Sequence, residues 1–151
     1  MSMVFPYRQY PVPHPVPSLG GLLVRPKPVL QVGLIGPKKS RVHDALLDTG
    51  ADDTVFPESV AVQIGLDLTN APSGELSGIG AAPVIVRYAQ VHLRVTDGHE
   101  FREWPAWVGF TASRLRQPLL GFAGFLQFFT AIFRGDRQEV ELEVNTIYPG
   151  V

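Results

Sequence analysis

Cysteine is absent from all 151 residues. Disulfides and thiolate metal sites are therefore excluded. An excess of charge of one sign is also missing, because 13 Lys and Arg stand against 14 Asp and Glu. The resulting net charge of -1 argues against a nucleic-acid partner, which calls for a strongly basic face. The short cluster Pro37-Lys38-Lys39-Ser40-Arg41 reads as a solvated turn. The four histidines, His14, His43, His92 and His99, lie far apart without ligand spacing, so no metal site and no cofactor is expected. Long hydrophobic runs are lacking too. The most apolar stretch, Leu119 to Phe133, is too short for a bilayer span and is interrupted by Gly121, Gly124, Gln127 and Thr130. No membrane partner is expected. The first residues carry neither a basic n-region nor an apolar h-region, and the expected location is cytoplasmic.

What is present suits one globular domain with a real core. Residues 1–28 are set apart by Pro6, Pro11, Pro13, Pro15, Pro17, Pro26 and Pro28. Proline lacks a backbone donor, so this N-terminal arm is expected to form neither a helix nor a central strand. A disordered or surface-hugging tail is one reading. An arm laid across a partner subunit, or a pro-segment over a cleft, anchored by Phe5, Tyr7 and Tyr10, is the other.

Residues 29–151 read as a domain of many short strands. Strands are expected at Val29–Ile35, Val42–Leu47, Thr54–Phe56, Val84–Val95 and Phe101–Phe110, the last two joined by an Asp97-Gly98 hairpin turn. Within Val84–Val95, Val91, Leu93 and Val95 point one way and His92 and Arg94 the other. Pro105 marks an edge or irregularity. Pro57-Glu58-Ser59 opens a helical turn with Val60, Val62 and Ile64 as its apolar content and Gly65 as its stop. Leu119-Leu120 forms a short strand, Phe122 to Phe128 a compact buried helix, and Thr130–Phe133 with Glu139–Val144 a final hairpin. The phenylalanines Phe122, Phe125, Phe128, Phe129 and Phe133 are expected to pack in the interior. Either Trp104 or Trp107 is a candidate interface or cleft residue. The architecture expected from these elements is mainly β and barrel-like.

The chemically informative run is Ala45-Leu46-Leu47-Asp48-Thr49-Gly50-Ala51-Asp52-Asp53-Thr54-Val55-Phe56. An apolar strand delivers Asp48 into a Thr-Gly turn, and a second apolar strand follows. Peptide hydrolysis without a metal or a covalent nucleophile needs a polarised water. Two carboxylates about 3 Å apart share one proton, because both cannot ionise cheaply. The ionised one takes a proton from water and the neutral one protonates the substrate carbonyl oxygen. Such a pair titrates jointly. Thr49 supplies a hydroxyl able to lock two such turns together, and Gly50 allows close approach of a substrate backbone. The sequence holds only one Asp-Thr-Gly, so a pair requires two chains.

This segment resembles, almost residue for residue, the active-site run of the retropepsins, the single-domain aspartic peptidases of retroviruses and their cellular relatives. Gly78-Ile79-Gly80 resembles the tip of the family's flap, and Leu119-Leu120-Gly121 its hydrophobic-hydrophobic-glycine signature, in the family's order over about residues 29 to 144. The resemblance implies a closed acid-protease β-barrel with a short C-terminal helix and final hairpin, assembled as a homodimer acting on a peptide or protein substrate. It implies Asp48 as the catalytic aspartate, one per subunit, with Thr49 making cross-subunit hydrogen bonds. Gly50 and Asp52 would bind substrate backbone, Asp53 would touch a side-chain pocket, and the Ile79 amide, flanked by Gly78 and Gly80, would hold a bridging water or substrate carbonyl from above.

The chain also departs from the viral pattern. Viral members place Arg, then Asn or Asp, after the second signature, where the Arg pairs with the acid matching Asp52. Phe122 and Ala123 stand there instead, so Asp52 needs another partner or stays solvated. Gly121-Phe122-Ala123-Gly124-Phe125-Leu126 is more similar to the bacterial cellular branch. Two other readings compete with the homodimeric endopeptidase. One is a catalytically silent retropepsin fold used for dimerisation or peptide binding. The other makes Asp48, Asp52 and Asp53 oxygen ligands of Ca²⁺ or Mg²⁺, against which stand the apolar frame and the missing ligand-loop pattern.

Overall fold

The computed structural model describes residues 1–76 and 82–151. The flap-tip residues Gly78, Ile79 and Gly80 lie outside them. The chain is mainly β: β1 (Met3–Pro6), β2 (Arg8–Val16), β3 (Leu22–Lys27), β4 (Val29–Ile35), β5 (Ser40–Leu47), β6 (Val55–Pro57), α1 (Glu58–Ile64), β7 (Ser73–Leu76), β8 (Val84–Thr96), β9 (Phe101–Thr111), β10 (Leu119–Leu120), β11 (Phe129–Arg134) and β12 (Glu139–Val144). Seven strands form one sheet in the order β4-β5-β10-β6-β9-β8-β7. Strand β8 also pairs with β4, so the ladder of pairings returns to its first strand. Among the described residues no helix is long and apolar enough to cross a membrane.

The long β8–β9 hairpin keeps one register from Arg87↔Phe110 to Thr96↔Phe101. Its turn is fixed by Asp97, whose Oδ1 accepts the His99 and Glu100 amides at 2.9 Å each, and by Gly98 at φ +92°. Pro105 is tolerated without a register break, opposite His92 and beyond the reach of β6, which pairs only with Gly109–Thr111. Burial along β8 changes phase. Val86 is buried at an even position, whereas Val91, Leu93 and Val95 are buried at odd ones. One strand therefore serves the core with its second half and the opposite face with its first.

Helix α1 starts after Pro57, which supplies extended geometry before the first turn, and carries Glu58 at its positive end. Gly65 stops it at φ +85°, its amide reaching the Ala61 and Val62 carbonyls. Val60, Ala61 and Ile64 face the core, while Val62 is 72% exposed. The 3.6-residue period puts position 62 on the far side from 60 and 64.

Two expectations change. The buried helix over Phe122–Phe128 is not formed; only a 3-10 turn at Leu126–Phe128 is present. The reason is that Gly124 sits at φ +90°, outside helical geometry, and that the Ala123 carbonyl, which a helix would offer to the Gln127 amide, accepts from Thr54 instead. Of the phenylalanines, Phe125 and Phe129 are buried, whereas Phe122 is 61% exposed and Phe133 also reaches the surface. Trp104 is fully buried between Phe125 and Phe129, edge-on at ring distances of 5.3 and 5.2 Å, and its Nε1–H donates to the Gly124 carbonyl at 2.9 Å. Trp107 is exposed.

The N-terminal arm is not a loose tail. Strand β1 is the edge of a second sheet, β1-β12-β11, and β2 with β3 forms a separate two-stranded ribbon. The proline rule holds in position: these are edge and ribbon strands, and the β2–β3 register breaks between Pro11 and Val16. Met3 and Phe5 alternate inward and belong to the core. Phe5→Ala is therefore expected to lower unfolding free energy by about 3–5 kcal/mol in urea titration. An unchanged midpoint would return the arm to the status of a tail.

Candidate active site

Strands β5 and β6 flank the Asp48 turn but are not neighbours. Strand β10 inserts between them, parallel to β5 through Leu119↔Leu46 and Leu120↔Leu47, and antiparallel to β6 through Leu119↔Val55. The segment that follows β10 then runs along the loop itself. The Asp48 amide donates to the Leu120 carbonyl at 3.0 Å, and the Phe122 and Ala123 amides donate to the Ala51 and Asp52 carbonyls at 2.9 Å each. The Thr54 amide returns to the Ala123 carbonyl at 3.2 Å. Thr54, fully buried, adds its hydroxyl to that same carbonyl at 2.9 Å. The loop is thus laced residue by residue to the stretch 120–123.

This lacing explains Gly121. A Cβ there would collide with the Asp53 carbonyl and sit 2.7 Å from that of Ala51. The third position of Leu-Leu-Gly is glycine because two backbones touch. Gly50 differs, since among the described residues a Cβ there would meet only Asp48 Oδ1, at 3.3 Å.

Asp48 is half-buried at the end of β5. Its Oδ1 accepts the Gly50 amide at 2.9 Å, which fixes the carboxylate over the turn. Thr49 is exposed. A cavity of about 380 Å³ opens beside the turn, lined by Asp48, Gly50, Asp52, Asp53 and, across from them, Glu75 and Val84. Four of the residues expected at the site, Asp48, Gly50, Asp52 and Asp53, thus line one cavity, whereas Thr49 stands on the same turn without lining it. Asp52 is exposed and has no ion-pair partner among the described residues, as the Phe122 replacement implies. Among the described residues no three carboxylates or histidines are gathered as a metal-ligand set.

Tyr88 was not legible as a site residue. Its hydroxyl donates to Asp53 Oδ2 at 2.8 Å. Burial, then the Asp53 hydrogen bond and charge, push the phenol up to about 12, so it remains a protonated donor at ordinary pH. Glu75, on β7, was missed as well. The β8 alternation places residue 88 on the face opposite Val91, Leu93 and Val95, but only the three-dimensional path shows what occupies that face.

A family model described as aspartyl protease matches residues 33–123. Among solved structures, a retropepsin-like aspartic protease from Rickettsia conorii is similar with a TM-score of 0.54 and 16% identity, covering 94% of this chain and 92% of that one. EIAV protease complexed with the inhibitor HBY-793 is similar at a TM-score of 0.36 and 18% identity, covering 63% and 81% respectively. No curated protein sequence matches. The Rickettsia likeness shows a retropepsin-like fold.

Gly121→Ala is expected to destabilise the protein by about 1–3 kcal/mol through this overpacking. Faster hydrogen exchange confined to the amides of Ala51–Thr54 and Phe122–Ala123 would locate the damage. Wild-type stability and exchange would show that the two backbones can separate freely.

Proposed function

The chain belongs to the aspartyl protease family, and from that premise we propose that it is a homodimeric aspartic endopeptidase whose reacting water is activated by two Asp48 carboxylates, one from each subunit. The observation that carries this reading is the single Asp48 turn, rigidly laced to β10 and opening onto a cavity, in a chain with no second Asp-Thr-Gly. Half of a dyad is present, and a two-fold axis through the turn supplies the other half.

In that assembly the two carboxylates hold one proton between them. The ionised member draws the proton from water as oxygen attacks the scissile carbonyl carbon. The neutral member protonates the carbonyl oxygen, and the pair later returns a proton to the leaving amine. The Gly50 amide on Oδ1 keeps the carboxylate oriented. Thr49, exposed on the turn, bonds across the axis to its counterpart. Gly50, which lines the cavity and carries no side chain, admits substrate backbone, held also by Asp52, and Asp53 faces a substrate side chain. Gly78, Ile79 and Gly80 are assigned to the covering flap on sequence resemblance. The reaction uses water and no cofactor.

Asp48→Asn is expected to reduce cleavage of a peptide library at least about a thousandfold while leaving the fold intact by circular dichroism. Specific activity of the wild type is expected to fall on dilution in step with the dimer measured by sedimentation. Activity that persists in a monomer would overturn the shared dyad. Peptide binding without turnover across acid to neutral pH would favour the non-enzymatic module.

A further inference from the structure

The candidate cleft is lopsided in charge. Asp48, Asp52, Asp53 and Glu75 line it, with Val55, Leu119 and other apolar side chains as its walls, and no lysine or arginine does. Residues 77–81, Ser-Gly-Ile-Gly-Ala, carry no ionisable side chain, so they cannot redress the balance. Arg114 and Arg116 flank Leu115, a lining residue, but both are exposed and neither lines the cavity.

These carboxylates are not equivalent. Asp48 is committed to the dyad. Asp52 and Glu75 are exposed, where water and salt screen them. Asp53 is half-buried, and its only hydrogen-bond donor among the described residues is the neutral Tyr88 hydroxyl. It has no cation within ion-pair distance among those residues. Its carboxyl group is therefore partly shielded from water and has no cationic partner among those residues. Tyr88 holds it from a built position. The ring lies between Gly74 of β7 and Gly109 of β9, and a Cβ on either glycine would come within 3.2 Å of a ring carbon. The phenol, seated between β7 and β9, thus ties β8 to Asp53 on the loop that carries Asp48.

We propose that this cleft selects peptides with a lysine or arginine close to the scissile bond, the substrate cation pairing with Asp53 and Tyr88 acting as the positioning residue that aims that carboxylate. This rests on the endopeptidase reading and names its substrate class. A cation entering an apolar-walled cleft lined by carboxylates gains from the field of all of them, whereas a substrate carboxylate is repelled. Discrimination then comes as much from rejection of acidic side chains as from attraction of basic ones.

The test uses matched peptides that differ only in Lys, Gln or Glu beside the cleaved bond, with kcat/KM measured for the wild type, Asp53→Asn and Tyr88→Phe. The wild type is expected to prefer Lys over Gln by about tenfold or more and to cut the Glu peptide worst. Asp53→Asn should bring the Lys-to-Gln ratio to within about twofold. Tyr88→Phe, which keeps the ring in its glycine-lined slot, should lower the ratio mainly through KM. A merely structural tyrosine would change the Lys and Gln peptides alike and leave their ratio in place. Cleavage without preference for Lys overturns this inference and leaves the endopeptidase standing. Should no peptide be cut, fluorescence anisotropy with the same three peptides decides: tighter binding of the Lys peptide upholds the charge selection while the enzyme reading falls, and equal binding overturns it.

Discussion

Everything at the candidate site depends on the backbone contact between the loop 48–54 and the stretch 120–123. The amides of Asp48, Phe122, Ala123 and Thr54 all donate across it, and the buried Thr54 hydroxyl reinforces its far end. A loop carrying three aspartates in six residues repels itself and has no helix or ladder of its own to satisfy its polar groups. The neighbouring segment supplies those partners. Gly121 makes the approach possible, since any side chain there would strike the Ala51 and Asp53 carbonyls. The Asp48 carboxylate can then be held by a single short-range bond from the Gly50 amide, because the turn beneath it is already fixed.

The same contact accounts for the fate of residues 122–128. A helix was expected there, and it was overridden because the Ala123 carbonyl is drawn to Thr54 and Gly124 turns to φ +90°. What remains is one tight turn at Leu126–Phe128, flanked by Phe125 and Phe129 packed on Trp104. The Trp104 indole donates to the Gly124 carbonyl, so the core grips the segment that is laced to the candidate-site loop. Packing energy in the aromatic cluster is in this way transmitted to the geometry of the loop.

Most of the fold was legible because its signals are local. Alternation marked β8 and β12, an apolar run marked β4, Asp97-Gly98 marked the hairpin and its return strand β9, and Pro57 and Gly65 bracketed α1. The Asp48 turn and the Leu119-Leu120-Gly121 stretch were legible as residue patterns, and the structure joins them. The failures have a common origin in non-local contact. Met3 and Phe5 are buried by a strand nearly 140 positions away, as Phe5↔Val140 shows, and nothing in a proline-rich arm announces that partner. Tyr88 is 35 residues from the carboxylate it holds. Its role follows from the phase change along β8, which exposes even positions to the cleft side before odd positions take over the core.

The replacement of a cationic side chain by Phe122 is best understood through what the backbone still does. An arginine there would neutralise Asp52 and brace the loop at once. Here the bracing is retained by the Phe122 and Ala123 amides, which need no particular side chain. Neutralisation is not retained, and Asp52 is left exposed to water. Separating the two tasks costs the loop little, because an exposed ion pair contributes only about 0–1 kcal/mol. It changes the cleft more than the fold, since one acidic charge stays uncompensated at its edge. It also leaves an apolar side chain, 61% exposed, beside the loop that carries Asp48. Main-chain hydrogen bonds thus brace the loop, and the Asp52 side chain stays at the edge of the cleft.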